Sequence, residues 1–174
     1  MPTVLVGSSS GCRVFSELGE RETELAGRQF SAMSSEVEGT CLAVVDEHEI
    51  WSRDLDGAWT LVGTAEFGLQ SIASIDGMIF GGAMDEAAMV RIPANGKAER
   101  LRGFDLCSGR EEWFAGGPPL GVRSITATRD GAAIIAAVHV GGLPYSLDKG
   151  NTWKPTIPII FDVHEVRAHS AFCI

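Results

Sequence analysis

The sequence predicts an all-β fold assembled from repeated four-stranded antiparallel meanders. Three observations carry that prediction. Apolar and polar residues alternate with a period of two along most of the chain. The 174 residues include 21 Gly and 7 Pro but no long Ala, Leu, Glu or Lys tract, which favours short strands and many turns over helices. The strand-and-turn pattern also recurs in register, as it does when one supersecondary unit is repeated.

The elements follow in order, with the four strands of a unit called a, b, c and d. The segment "TVLVGSSSG-CRVFSELGE-RETELAG" (3–27) supplies b, c and d only. Residues 30–65, "FSAMSSEVEG-TCLAVVDEHE-IWSRDLDG-AWTLVGTA", give a full set, and 68–105 give another. In 122–158 two strands meet at Arg129-Asp130-Gly131 and two more at an Asp-Lys-Gly turn. "DVHEVRAHS" (162–170) matches "GVRSITATR" and reads as a further strand a. Short antiparallel meanders repeated in this way form propeller blades. The prediction is therefore one β-propeller or half-propeller domain over 1–174, with three complete blades and a fourth split between 3–27 and 162–170.

The c–d corners support the alignment. "YSLDKGNTW", "WSRDLDGAW" and "FSELGERET" each place an aromatic residue (Tyr145, Trp51, Phe15) before a serine (Ser146, Ser52, Ser16). Trp153 and Trp59 both follow their serine by seven positions. Asp54 and Asp56 in "DLDG" lack the remaining ligands of a calcium loop and read as a turn.

"SLDKGNTW" (146–153) is a full match to the Asp-box of BNR-repeat proteins, which include sialidases, sortilin-type receptors and many uncharacterised propellers. The wider stretch 104–170 resembles uncharacterised bacterial WD40/YVTN/BNR-like propeller proteins, which are usually nearer twice this length. The resemblance implies a propeller. It also implies that Ser146, Asp148, Gly150, Thr152 and Trp153 staple the fold, on the face opposite the usual ligand funnel. It does not imply sialidase activity. The only tyrosine, Tyr145, adjoins the box, and no arginine triad can be matched.

In propeller topology the d–a and b–c loops share one face around the channel. The longest d–a connection, "LCSGREEWFAGGPPLG" (106–121), exceeds what a turn needs and carries Arg110, Glu111, Glu112 and Trp113. Aligning the a strands sets Gln70, Arg123 and His164 in equivalent positions. With Trp113 and His139 they make the candidate pocket: an aromatic lid, an anion-capable arginine and two imidazoles. Glu165 and Arg167 lie on the other face of their strand, where they can pair.

A strand edge without its neighbour leaves N–H and C=O groups unpaired. The C-terminal a strand can close the ring on its own b-c-d set, giving four blades. Alternatively, two chains exchange these strands and build a homodimeric ring of about eight. Four inner strands leave little channel, which favours the dimer. The tail "SAFCI" breaks the expected a–b turn and looks like a shortened end.

The function expected is a non-catalytic binding or scaffold propeller for a small polar ligand. The alternative is a hydrolase or lyase using His139, His164 and Glu165 around Arg123. A net charge of −9 without a basic run argues against nucleic acid. No apolar stretch approaches the length of a membrane span. "MPTVLVGSSSG" lacks a leader pattern, so a cytoplasmic location is expected, with Cys12, Cys41, Cys107 and Cys173 as reduced thiols. No cofactor or metal is expected, since no phosphate loop, Cys-x-x-Cys or His-Glu-x-x-His occurs.

Overall fold

The computed structural model describes residues 3–36, 39–93, 97–113, 117, 119–159, 161 and 163–168. Among them the chain folds into four antiparallel sheets, each a meander of sequential strands. Sheet 1 holds β1 (Val4–Ser8), β2 (Gly11–Ser16) and β3 (Gly19–Glu24). Sheet 2 holds β4 (Phe30–Ser35), β5 (Cys41–Val45), β6 (Glu49–Arg53) and β7 (Trp59–Thr64). Sheet 3 holds β8 (Leu69–Ile75), β9 (Met78–Ala83), β10 (Met89–Ile92) and β11 (Glu99–Arg100). Sheet 4 holds β12 (Val122–Ala127), β13 (Ile134–Val138) and β14 (Tyr145–Ser146). The all-β expectation holds. A closed ring is not seen among the described residues, since β1 pairs there with β2 alone.

Three segments depart from the expected strands. The outer strand expected over 98–105 stops at Arg100, and Arg102–Asp105 forms the short helix α1. Arg100 clamps Asp105 through Nε and Nη2 at 2.8 and 3.1 Å, which turns the chain, and Phe104 inserts into the core. In sheet 4 the expected fourth strand is reduced to a single bridge, Tyr145↔Lys154. Pro155 and Pro158 follow it, and proline cannot donate to a ladder. Asp162 and residues 169–174 lie outside the described residues, and 163–168 are not assigned as strand.

The sheets stack face to face, and each seam has its own chemistry. β5 reads Cys-Leu-Ala-Val-Val and is buried at every position, because sheets 1 and 3 cover its two faces. Leu42, Val44, Ile50, Leu69, Ile72, Val90 and Ile92 fill the seam between sheets 2 and 3. A larger cluster, with Phe80, Met89, Phe104, Val122, Val138 and Trp153, fills the seam between sheets 3 and 4. Gly82 is required there, since a Cβ would collide with Ser71 and Val122. Each such apolar side chain contributes about 1.5–3 kcal/mol on burial, so these two seams dominate stability.

The seam between sheets 1 and 2 is ionic. Arg53 donates to Glu24 through Nε at 2.7 Å and Nη2 at 2.6 Å, with both side chains about 10% exposed. Trp59 Nε1 donates to the same carboxylate at 2.7 Å, and its ring meets Phe30 edge-on. Burial opposes the ionisation of Glu24, but the Arg53 and Trp59 hydrogen bonds outweigh it and lower its pKa. Two buried thiols lie in the same seam. Burial, then the neighbouring Cys12, pushes the Cys41 thiol up to about 11.

A buried bidentate pair is strongly coupled: losing one partner costs far more than losing both. Glu24→Ala is expected to destabilise the protein by about 3 kcal/mol, and adding Arg53→Met should recover most of that loss. Denaturant unfolding of the two single variants and the double variant measures the coupling; additive losses would contradict the ionic seam.

Candidate functional site

Each sheet presents two ends. The a–b turns and c–d corners lie at one end, and the d–a and b–c loops at the other. The best-defined structure at the corner end is the Ser146–Trp153 turn. Ser146 Oγ accepts from Gly150 N at 2.8 Å and donates to Asp148 Oδ1 at 2.8 Å. Asp148 accepts from Thr152 N at 2.8 Å and from the Thr152 hydroxyl at 2.6 Å. Lys149 and Gly150 take left-handed φ values of 59° and 86° to close the turn. Trp153 Nε1 donates to the Gly150 carbonyl, while the ring packs edge-on against Phe104 at 5.0 Å. The helix α1 rests on this corner at Gly103, where a Cβ would strike the Asn151 carbonyl. These groups are consumed internally, which makes the corner a staple.

The sister corner is looser. Asp54 Oδ1 accepts from Ala58 N at 2.8 Å, so "DLDG" closes as a turn. Among the described residues no cluster of three His, Cys, Asp or Glu could hold a metal.

The loop end owes its shape to a repeated irregularity. β4, β8 and β12 each carry a bulge after their first residue, against β5, β9 and β13 respectively. The bulge removes Ser31, Gln70 and Arg123 from the ladder and re-aims their side chains. The Gln70–Arg123 equivalence read from the sequence matches this geometry. Ser31 was missed, because alternation does not reveal an inserted residue.

The side chains at this end fall into two groups. Arg123 Nη1 donates to His164 Nδ1 at 2.8 Å, which places the ring proton of His164 on Nε2. Gln70, His139 and Trp113 gather separately, around the connection leading into β12. Gln70 Nε2 donates to the Ala83 and Met84 carbonyls at 3.2 and 3.3 Å and crowds Gly121. His139 is 5% exposed; its Nδ1 donates to the Pro119 carbonyl at 2.9 Å, and its N–H donates to Gly121 O. Trp113 is 8% exposed; its ring packs on Phe104 in the apolar core and also lines a cavity together with Arg110, Pro119 and Leu120. Glu165 and Arg167 pair at 2.6 Å.

Arg110 is a further group of interest. Its guanidinium stacks 4.9 Å from the Trp113 ring and lies 3.8 Å from Asp105 through Nη2, and its buried Nη1 has no hydrogen-bond partner among the described residues. It borders a cavity of about 300 Å³ with Asp85, Glu86, Pro119 and Leu120. A cleft of about 840 Å³ opens between sheets 2 and 3 at the corner end, lined in part by Leu42, Ser52, Ser74 and Asp76.

The corner generates two expectations. Hydrogen bonds from the Thr152 hydroxyl and N–H hold the Asp148 carboxyl at about 2, below its ordinary 3.8. Its stabilising contribution is therefore complete above about pH 4 and lost as pH falls through 2. Urea unfolding of the wild type and Asp148→Asn should show a stability gap that closes across that window. Gly103→Ala forces a Cβ onto backbone and is expected to cost at least about 1–3 kcal/mol, read as a lowered Tm.

No family model matches the chain, and no curated protein matches it. Solved structures do. U3-55K superposes with a TM-score of 0.70 at 12% identity, over 97% of this chain and 54% of that chain. The RRP9 WD40 repeats superpose with 0.68 at 11% identity, again over 97% and 54%. Virginiamycin B lyase from Staphylococcus aureus superposes with 0.58 at 14% identity, over 86% of this chain and 53% of that one. At such identities the likeness concerns the fold alone. The chain has a WD40-like β-propeller fold and spans about half the length of these three chains.

Proposed function

We propose that this protein is a non-catalytic binding propeller that recognises an anionic, carboxylate- or phosphate-bearing ligand at the loop end of its inner strands. The observation that carries this reading is the bulge after Val122 in β12, which takes Arg123 out of the ladder at the loop end of its strand, where it donates to His164. A bulge that re-aims a side chain in this way is often found beside a functional site. The buried Arg110 Nη1 on the same face is a second donor suited to a ligand oxygen. The internally satisfied Ser146–Trp153 corner supports the BNR-type reading, in which the corner holds the fold and the opposite end binds.

A hydrolase or lyase would need His139 together with His164 and Glu165. His139 is buried against Pro119, and Glu165 is paired with Arg167, so binding is the better reading. The similarity to a lyase rests on the fold alone and carries no chemistry.

Thermal unfolding with added sodium phosphate or citrate, at constant ionic strength, tests the proposal. A ligand that binds only the folded state raises Tm in a saturable way, by about 2–4 °C for each kcal/mol gained. Arg123→Ala should abolish the rise, and Arg167→Ala should leave it intact. The proposal is overturned if neither anion gives a saturable shift, or if Arg123→Ala retains it.

A further inference from the structure

The cavity bordered by Arg110 is walled by two connections. Residues 84–88 join β9 to β10, and residues 106–113 and 119–121 precede β12. The first connection turns sharply, with Ala88 N donating to the Glu86 carbonyl at 2.9 Å and Ala83 N to the Ala88 carbonyl at 2.9 Å. In the second, Gly109 takes a left-handed φ of 80° and opens the short 3₁₀ turn Arg110–Glu112. Pro119 is fixed as well, since its carbonyl accepts from His139 Nδ1 at 2.9 Å and from Gly121 N at 2.8 Å.

These walls hold the Arg110 guanidinium in one place. Its Cζ lies 4.9 Å from the centre of the Trp113 ring and 5.8 Å from that of Phe104. Its Nη2 lies 3.8 Å from Asp105, whose carboxylate is itself clamped by Arg100 Nε at 2.8 Å. A guanidinium directs its N–H donors from a rigid plane, so holding one side aims the other. The Nη1 of Arg110 is buried and meets no hydrogen-bond partner among the described residues. A buried donor left unmade is costly unless an acceptor reaches it. Arg110 lines the cavity, and that is where such an acceptor can sit.

The remaining lining defines what else the ligand carries. Trp113, Pro119 and Leu120 make an apolar side. Asp85 and Glu86 make an acidic one. Glu86 is engaged by Arg100 at 3.0 Å, which leaves the exposed Asp85 carboxylate to meet a cation. A simple anion on Arg110 would face Asp85 as a like charge, whereas a molecule of both signs satisfies the two. The cavity measures about 300 Å³, the lower end of the range for small-ligand pockets, about 300–1,000 Å³. Carboxylate, ammonium and apolar group must therefore diverge from one centre, as they do at the α-carbon of an amino acid. We propose that this cavity binds a free α-amino acid with an apolar side chain. Its carboxylate accepts from Arg110 Nη1, its ammonium pairs with Asp85, and its side chain lies on Trp113, Pro119 and Leu120. The assignment rests on the anion-binding reading only in taking Arg110 as a donor to a ligand oxygen; Arg123 and His164 take no part in it.

Isothermal titration with L-leucine tests the site. The controls are 4-methylpentanoate, which lacks only the ammonium, and 3-methylbutylamine, which lacks only the carboxylate. Leucine is expected to bind saturably, and each control at least about tenfold more weakly, as the loss of one charged hydrogen bond requires. Asp85→Asn should weaken leucine by a similar factor and leave 4-methylpentanoate unchanged. Arg110→Gln should weaken leucine and 4-methylpentanoate alike; should it fail to fold, Asp85→Asn, at an exposed position, decides. The proposal is overturned if leucine gives no saturable heat, if 4-methylpentanoate binds as tightly as leucine, or if Asp85→Asn leaves leucine unchanged. Leucine binding should persist in Arg123→Ala, and its loss there overturns the assignment to this cavity. The two proposals fail separately. A phosphate response without leucine binding overturns only the amino-acid site, and leucine binding without a phosphate or citrate response overturns only the anion reading at Arg123.

Discussion

One extra residue near the start of β4, β8 and β12 shapes the loop end of sheets 2, 3 and 4. A ladder without bulges would keep Ser31, Gln70 and Arg123 in the alternation of their strands, each committed to one face of its sheet. The bulges after Phe30, Leu69 and Val122 free these residues from that constraint. The released side chains are then used differently. Ser31 ties its strand to the carbonyl of Leu69, Gln70 holds the carbonyls of a b–c loop, and Arg123 reaches the next segment at His164. One backbone device thus yields two structural ties and one polar, cationic position.

The sheets themselves are held by two kinds of force. Between sheets 2, 3 and 4 the seams are apolar, and burial sets their strength. The Ser146–Trp153 corner locks the last of these seams from below, because Trp153 and Phe104 meet there while α1 rests on the Asn151 carbonyl. Between sheets 1 and 2 a bidentate ion pair and an indole N–H take over, and orientation counts for more than area.

The sequence made the sheets legible because period-two alternation and turn residues are local signals. Arg129-Asp130-Gly131 is a turn, with Gly131 at φ 68° and Asp130 accepting from Thr128 and Ala132. The paired carboxylates of "DLDG" form a turn for the same local reason. Non-local facts were hidden. Trp113 reads as a lid because it lies in a long loop, but its packing on Phe104 in the apolar seam, beside the cavity that it lines with Arg110, is set by residues distant in the sequence. The helix at Arg102–Asp105 depends on Arg100 meeting Asp105 and Glu86, which no strand pattern encodes. Of the site, the equivalence of Gln70 and Arg123 was legible from alignment. The division of the candidate residues into an Arg123–His164 pair and a Gln70–His139–Trp113 group was not, because it depends on how residues 119–121 thread between sheets 3 and 4.

The ionic seam at Glu24 and Arg53 gives the stack of sheets a polarity of response. Apolar contacts weaken on cooling, as the hydration that drives them loses its entropic advantage. The cost of stripping water from charges instead falls as temperature rises. Warming therefore lowers the desolvation cost of the joint between sheets 1 and 2, while cooling weakens the apolar joints between the other sheets. Salt screens surface charges within about 10 Å at 0.1 M, but it reaches a pair this enclosed only weakly. A stack of repeats with unlike joints does not loosen uniformly. The joint between sheets 1 and 2 therefore answers temperature differently from the apolar joints between sheets 2, 3 and 4.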